Sequence, residues 1–186
     1  SLVIGGQFTQ SGGQTLNHVA RWDGALWRPL GSGMNAGVTT LTLWDADGPE
    51  PLPEQLIAAG FFTGAGGSAA NRIAAWDGER WSPLGEGLNN TVLDLTTWDP
   101  DGPGPMPTCI VAGGAFTAAG NEPANRVARW DGERWHPLGD GLNGDVLELT
   151  VWDPDGPGPL PPRIVAGGNF TASGEIPINR FAFWDG

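Results

Sequence analysis

Short runs in which apolar and polar residues alternate recur along this chain, each bounded by Gly, Pro, Asn or Asp. That pattern predicts strands, not helices. In residues 133–186 four segments read as extended. The longest, Val146-Leu147-Glu148-Leu149-Thr150-Val151-Trp152, carries the β-branched and aromatic residues that suit a pleated surface. The run 163–168 is apolar and small and closes on two glycines, which suits a buried strand with a bulge, a tight bend or a close backbone approach. The segment 180–185 is clearer one repeat earlier at 126–131. There Val127, Arg129 and Asp131 share one face, and Arg126, Ala128 and Trp130 share the other. The fourth, 134–138, contains Pro137, which gives a sheet ladder no N–H and so belongs at an edge. Asp131-Gly132 between two extended runs is a hairpin signal, and the pairing it predicts brings Trp130 and Trp135 together.

These elements repeat every 54 residues. Trp-Asp-Gly begins at Trp22, Trp76, Trp130 and Trp184, and Gly-x-Phe-Thr begins at Gly6, Gly60, Gly114 and Gly168. Trp27, Trp81 and Trp135 keep the same step, as do Trp44, Trp98 and Trp152. The chain therefore holds full repeats at 25–78, 79–132 and 133–186, and a partial one at 1–24. Four short strands in a repeat of this length predict an all-β fold, a β-propeller of four-stranded antiparallel blades. Gly and Pro interrupt every window that could hold a helix, and a β-solenoid would need shorter coils. A small sheet cannot bury both faces by itself, so the ten tryptophans read as core between neighbouring blades, with a ligand-stacking platform as the alternative.

Composition supports an ordered chain. Its 31 Gly and 17 Pro fall at fixed repeat positions beside aromatic residues that disordered segments lack. The net charge of −12, with no Lys, repels nucleic acid and anionic lipid and suits a cationic partner or high solubility. Cys109 is the sole cysteine, so no disulfide forms within the chain. No apolar run reaches the length of a membrane span.

The strings Val111-Ala112-Gly113-Gly114-Ala115-Phe116-Thr117 and Ala124-Asn125-Arg126-Val127-Ala128-Arg129-Trp130-Asp131-Gly132 resemble a kelch-related propeller repeat, of a type found in extracellular bacterial proteins and fungal cortical polarity proteins. A standard kelch repeat usually has a Tyr near its fourth segment, and this chain has no Tyr. The resemblance implies that 146–152 is the innermost strand of its blade, 164–168 the second, 126–131 the third type and 134–138 the outer edge. It also implies a scaffold or recognition role outside the cell or at its surface, and it supplies no catalytic residues.

Under that assignment the first blade lacks its innermost strand and the last lacks its outermost. Open ends expose strand edges and apolar faces. The chain could close as a small ring, pair with a second copy, or be one part of a longer propeller. Self-association to a homodimer is the expected outcome, because two-fold pairing is the commonest way to close an assembly.

Candidate chemistry lies in the acidic loops after the innermost strands. These carry Asp45 and Asp47, Asp99 and Asp101, and Asp153 and Asp155, each pair followed by Gly. Two carboxylates at this spacing resemble the opening of a calcium loop, but a third Asp and a closing Glu are missing. A plain Asp-turn is the alternative, and no other cofactor is indicated. His18 and His136 occupy different repeat positions and form no zinc pattern. Three functions remain: a non-enzymatic scaffold whose loop rims bind protein or carbohydrate, a purely structural or self-assembling module, and a polysaccharide hydrolase or lyase using acidic residues on one rim.

Overall fold

The computed structural model describes residues 2–45, 53–102, 104–156, 158 and 160–184. These residues form β-strands and turns, with no helix. Four antiparallel meander sheets of three, four, four and three strands follow one another along the chain. Sheet I contains Val3–Gly5, Val19–Trp22 and Trp27–Pro29. Sheet II runs Val38–Trp44, Gln55–Gly60, Ile73–Trp76 and Trp81–Pro83. Sheet III repeats that order with Val92–Trp98, Cys109–Gly114, Val127–Trp130 and Trp135–Pro137. Sheet IV holds Val146–Trp152, Arg163–Gly168 and Phe181–Trp184. The sheets thus straddle the repeat boundaries read from the sequence, because Trp135–Pro137 pairs backward with Val127–Trp130.

Local chemistry explains the register. Pro29, Pro83 and Pro137 all lie in the last strand of their sheets, where a missing N–H costs no ladder bond. The Asp-Gly turns close as read. Asp131 Oδ1 accepts from the Glu133 and Arg134 amides, Gly132 sits at φ 103°, and Trp130 faces Trp135 with ring centroids 5.5 Å apart. Opposite the Gly113-Gly114 pair, the ladder shifts between Val92 and Asp94, so the extra residue, Leu93, bulges from the facing strand. A side chain at Gly114 would collide with the Thr91 carbonyl, so the pair serves both the bulge and a close backbone approach.

A small hairpin that the sequence pattern did not reveal lies between the first and second strands of sheet I, Gln10–Ser11 with Gln14–Thr15, and between the second and third strands of the others, at Gly64–Ala65 with Ser68–Ala69, Ala118–Ala119 with Glu122–Pro123, and Ala172–Ser173 with Ile176–Pro177.

The core lies between sheets. Val19 of sheet I packs with Val38, Ala58 and Ala74 of sheet II. Ile57, Ala59 and Ile73 of sheet II pack with Val92, Leu95 and Ala112 of sheet III. Val111 and Val127 of sheet III pack with Val146, Leu149 and Ile164 of sheet IV. Because strand residues alternate, each middle sheet offers one apolar face backward and one forward. The long first strands of sheets II, III and IV lie beside one another.

Candidate functional site

Two sets of residues organise the surface where function can reside: the tryptophans that fasten sheet to sheet, and the acidic loops at one end of the stack.

Each fastening runs from an indole N–H to a backbone carbonyl of a neighbouring sheet. Trp44 donates to the Thr108 carbonyl and Trp98 to the Pro162 carbonyl, both at 2.8 Å. In the other direction, Trp81 donates to Leu30 at 2.9 Å and Trp135 to Leu84 at 3.0 Å. A buried indole N–H needs such a partner, and here satisfying it ties two sheets together. Trp76, Trp130 and Trp184 meet the glycine turn of the preceding sheet at Gly31, Gly85 and Gly139. Trp22 and Trp27 pair with ring centroids 5.3 Å apart and are half-buried in sheet I. Trp152 differs from its counterparts: it is 46 % exposed, whereas Trp44 is 6 % and Trp98 3 % exposed.

The loops at Asp99 and Asp153 leave the first strands of sheets III and IV at the same end, and both fold on their own carboxylates. Asp99 Oδ1 accepts from the Asp101 amide and Asp101 Oδ2 from the Met106 amide. Asp153 Oδ1 accepts from the Asp155 and Gly156 amides, and Asp155 Oδ2 from Leu160. Burial pushes the Asp99 carboxyl up, opposed by the Asp101 amide and reinforced by the neighbouring Asp101 carboxyl. Oδ1 of Asp101 is shielded and has no hydrogen-bond partner among the described residues. Asp45 ends the described part of the corresponding loop in sheet II, and Asp47 lies outside the described residues. Among the described residues, no group of three or more His, Cys, Asp or Glu converges on a point that could hold a metal, and the carboxylates act as turn acceptors.

Further side chains tie the small hairpins and the sheets together. Asn35, Asn89 and Asn143 each accept two amide bonds from the small-hairpin loop of their own sheet, as Asn89 does from Thr117 and Ala118. Their amides donate to Thr63, Thr117 and Thr171, so each of these threonines bonds an Asn side chain. Asp94 joins three sheets: it accepts from Thr40 Oγ1 at 3.2 Å and from the Leu149 amide at 2.8 Å. The signal for Asp94 was its departure from the repeat, since Thr40 and Glu148 hold the equivalent positions.

At the outer edge, His136 pairs with Asp131, where sheet I pairs Arg28 with Asp23. Burial pushes the Asp131 carboxyl up. The Arg134 and Glu133 amides and the His136 ring outweigh it and hold the group down at about 2. His136 lines an open cavity of about 460 Å³ with Glu86, Glu122, Glu133 and the edges of Trp130 and Trp135.

Among the described residues no helix is long and apolar enough to cross a membrane. Compared with protein-family models, curated proteins and solved structures, the chain matches none.

Proposed function

We propose that the four sheets are blades of a β-propeller related to the kelch type. In this reading the chain is a non-enzymatic scaffold outside the cell or on its surface, and its loop rim binds protein or carbohydrate. The side-by-side first strands and the face-to-face sheets support the propeller reading, because a ring of blades places its innermost strands next to one another. The observation that carries the binding reading is the repetition of one loop architecture. Asp99/Asp101 and Asp153/Asp155 sit at equivalent places, internally bonded and therefore pre-ordered, on a chain of net charge −12. A rigid, repeated, acidic rim loses little conformational entropy on binding and favours multivalent, cationic or polyhydroxylated ligands.

The test is a binding screen against arrays of glycans and basic proteins, run with the chain and with Asp101→Asn/Asp155→Asn. Binding that weakens in the double variant supports the reading. Binding that survives unchanged, or turnover of a polysaccharide, would overturn it. Calcium is checked in the same experiment: a metal held by these loops raises the melting temperature at millimolar calcium, and a turn that uses its carboxylates internally does not.

A further inference from the structure

Sheet IV carries a face built like the forward faces of sheets I to III, but nothing in the described structure covers it. Gly113 of sheet III is filled from the next sheet, and a Cβ there would lie 2.5 Å from a Val146 methyl and 3.0 Å from a Leu149 methyl. Gly5 of sheet I receives Val38 and Leu41 in the same manner. Gly167 holds the equivalent position in sheet IV, and a Cβ there would meet nothing within 4 Å. Trp152, whose counterparts donate to Thr108 and Pro162, has no acceptor among the described residues. Phe181 and Phe183 beside it are 52 % and 58 % exposed, whereas Val127 and Ile73 at the position of Phe181 are buried. Among the described residues the edge of Phe181–Trp184 also has no pairing strand, although the equivalent edges in sheets I to III carry a Trp-x-Pro strand.

We infer that this face is a docking site for a strand–turn–strand segment of the repeat's own chemistry, of the kind residues 79–108 present. The internal interfaces specify what each part of such a segment would do. Its Trp-x-Pro strand pairs with Phe181–Trp184, sets an indole beside Trp184 and donates to the Leu138 carbonyl, as Trp135 sits beside Trp130 and donates to Leu84. Its Val-x-x-Leu strand enters the Gly167 socket, as Val146 and Leu149 enter Gly113. Its last carbonyl receives the Trp152 N–H, as Thr108 receives Trp44. Main-chain pairing at the edge supplies affinity, and the alternate side chains supply specificity. A second copy of the chain, the occupant expected from the sequence, would present sheet I, whose described strands carry no Val-x-x-Leu pair. The socket and the Trp152 N–H would then stay unfilled. The inference stands apart from what the acidic rim binds.

The test uses the whole chain and a synthetic peptide of sequence 79–108, labelled for fluorescence anisotropy. Saturable binding is expected. A peptide carrying Val92→Asp and Leu95→Asp should bind at least about tenfold more weakly, since two buried aliphatic contacts exceed ~1.4 kcal/mol. Gly167→Val in the chain fills the socket and should weaken the normal peptide to the same degree, while thermal unfolding stays unchanged. Asp101→Asn/Asp155→Asn should leave peptide binding intact, which separates this site from the rim. Absence of saturable binding, equal binding of both peptides, or indifference to Gly167→Val would overturn the inference. So would sedimentation of the chain alone at about twice its 19.4 kDa mass with Gly167→Val restoring the monomer, because the face would then belong to a second copy.

Discussion

Trp98 and Trp152 occupy the same place in successive repeats, so replacing each with alanine isolates the contribution of a neighbouring sheet. Trp98 is buried against sheet IV and donates to the Pro162 carbonyl at 2.8 Å. Removing a buried aromatic ring costs about 3–5 kcal/mol, and the orphaned carbonyl adds to that if water cannot reach it. For a chain of this length each kcal/mol lowers Tm by roughly 2–4 °C, so Trp98→Ala should lose on the order of 6–20 °C. Trp98→Phe keeps a ring but no N–H and should cost about 1–3 kcal/mol. Trp152 is half-exposed, has no acceptor among the described residues and touches Phe183 at 6.2 Å between ring centroids, so Trp152→Ala should cost no more than about 1 kcal/mol. Urea and thermal unfolding followed by far-UV circular dichroism, on dilute protein without added peptide, measure all three. A Trp152→Ala variant as destabilised as Trp98→Ala would refute this, because position in the repeat, not coverage by the next sheet, would then set the contribution.

Three further outcomes follow from the same structure. Gly113→Ala should destabilise by about 1–3 kcal/mol in urea unfolding, since its Cβ meets Val146, whereas Gly167→Ala, with open space around it, should stay within about 0.5 kcal/mol. Asn89→Ala removes the acceptor for the Thr117 and Ala118 amides and should cost about 1–2 kcal/mol, and Asn89→Asp, which keeps the acceptor, should recover most of it. In acid, the hairpin carboxylates govern stability. Amide bonds from Arg80 and Glu79 hold Asp77 below the usual carboxylate range, and Asp131 is held at about 2 against burial. Because the folded values are depressed, their contribution is complete above the unfolded value near 4 and disappears as pH falls toward 2. Equilibrium unfolding between pH 5 and pH 2 should therefore show a decline that Asp131→Asn reduces.

The sequence carried the strand plan because its decisive residues act locally. Asp131-Gly132 closes its hairpin through its own carboxylate, Pro137 marks an edge by the bond it cannot make, and Gly114 stands where a backbone approaches too closely for a side chain. The small hairpins were not legible, since strands of two residues such as Ala118–Ala119 and Glu122–Pro123 are too short to show alternation. Arg72 and Arg126, both at φ 68°, were equally hidden. The backbone N–H of each bonds the carbonyl of a Phe from the preceding strand end, a tertiary demand that no residue type announces. The role of Asp94 depends on three sheets meeting at one carboxylate. Trp152 could not be told from Trp98 because the two share one repeat position and differ in what lies beyond them.

Trp44, Trp81, Trp98 and Trp135 are buried and fastened to neighbouring sheets, whereas Trp152 is half-exposed. Hydroxyl-radical footprinting with mass spectrometry reads all ten rings in one experiment on the native chain. Protection of Trp44, Trp81, Trp98 and Trp135, with rapid oxidation of Trp152, is the predicted pattern. Oxidation of Trp98 as fast as Trp152 would contradict the stacked arrangement.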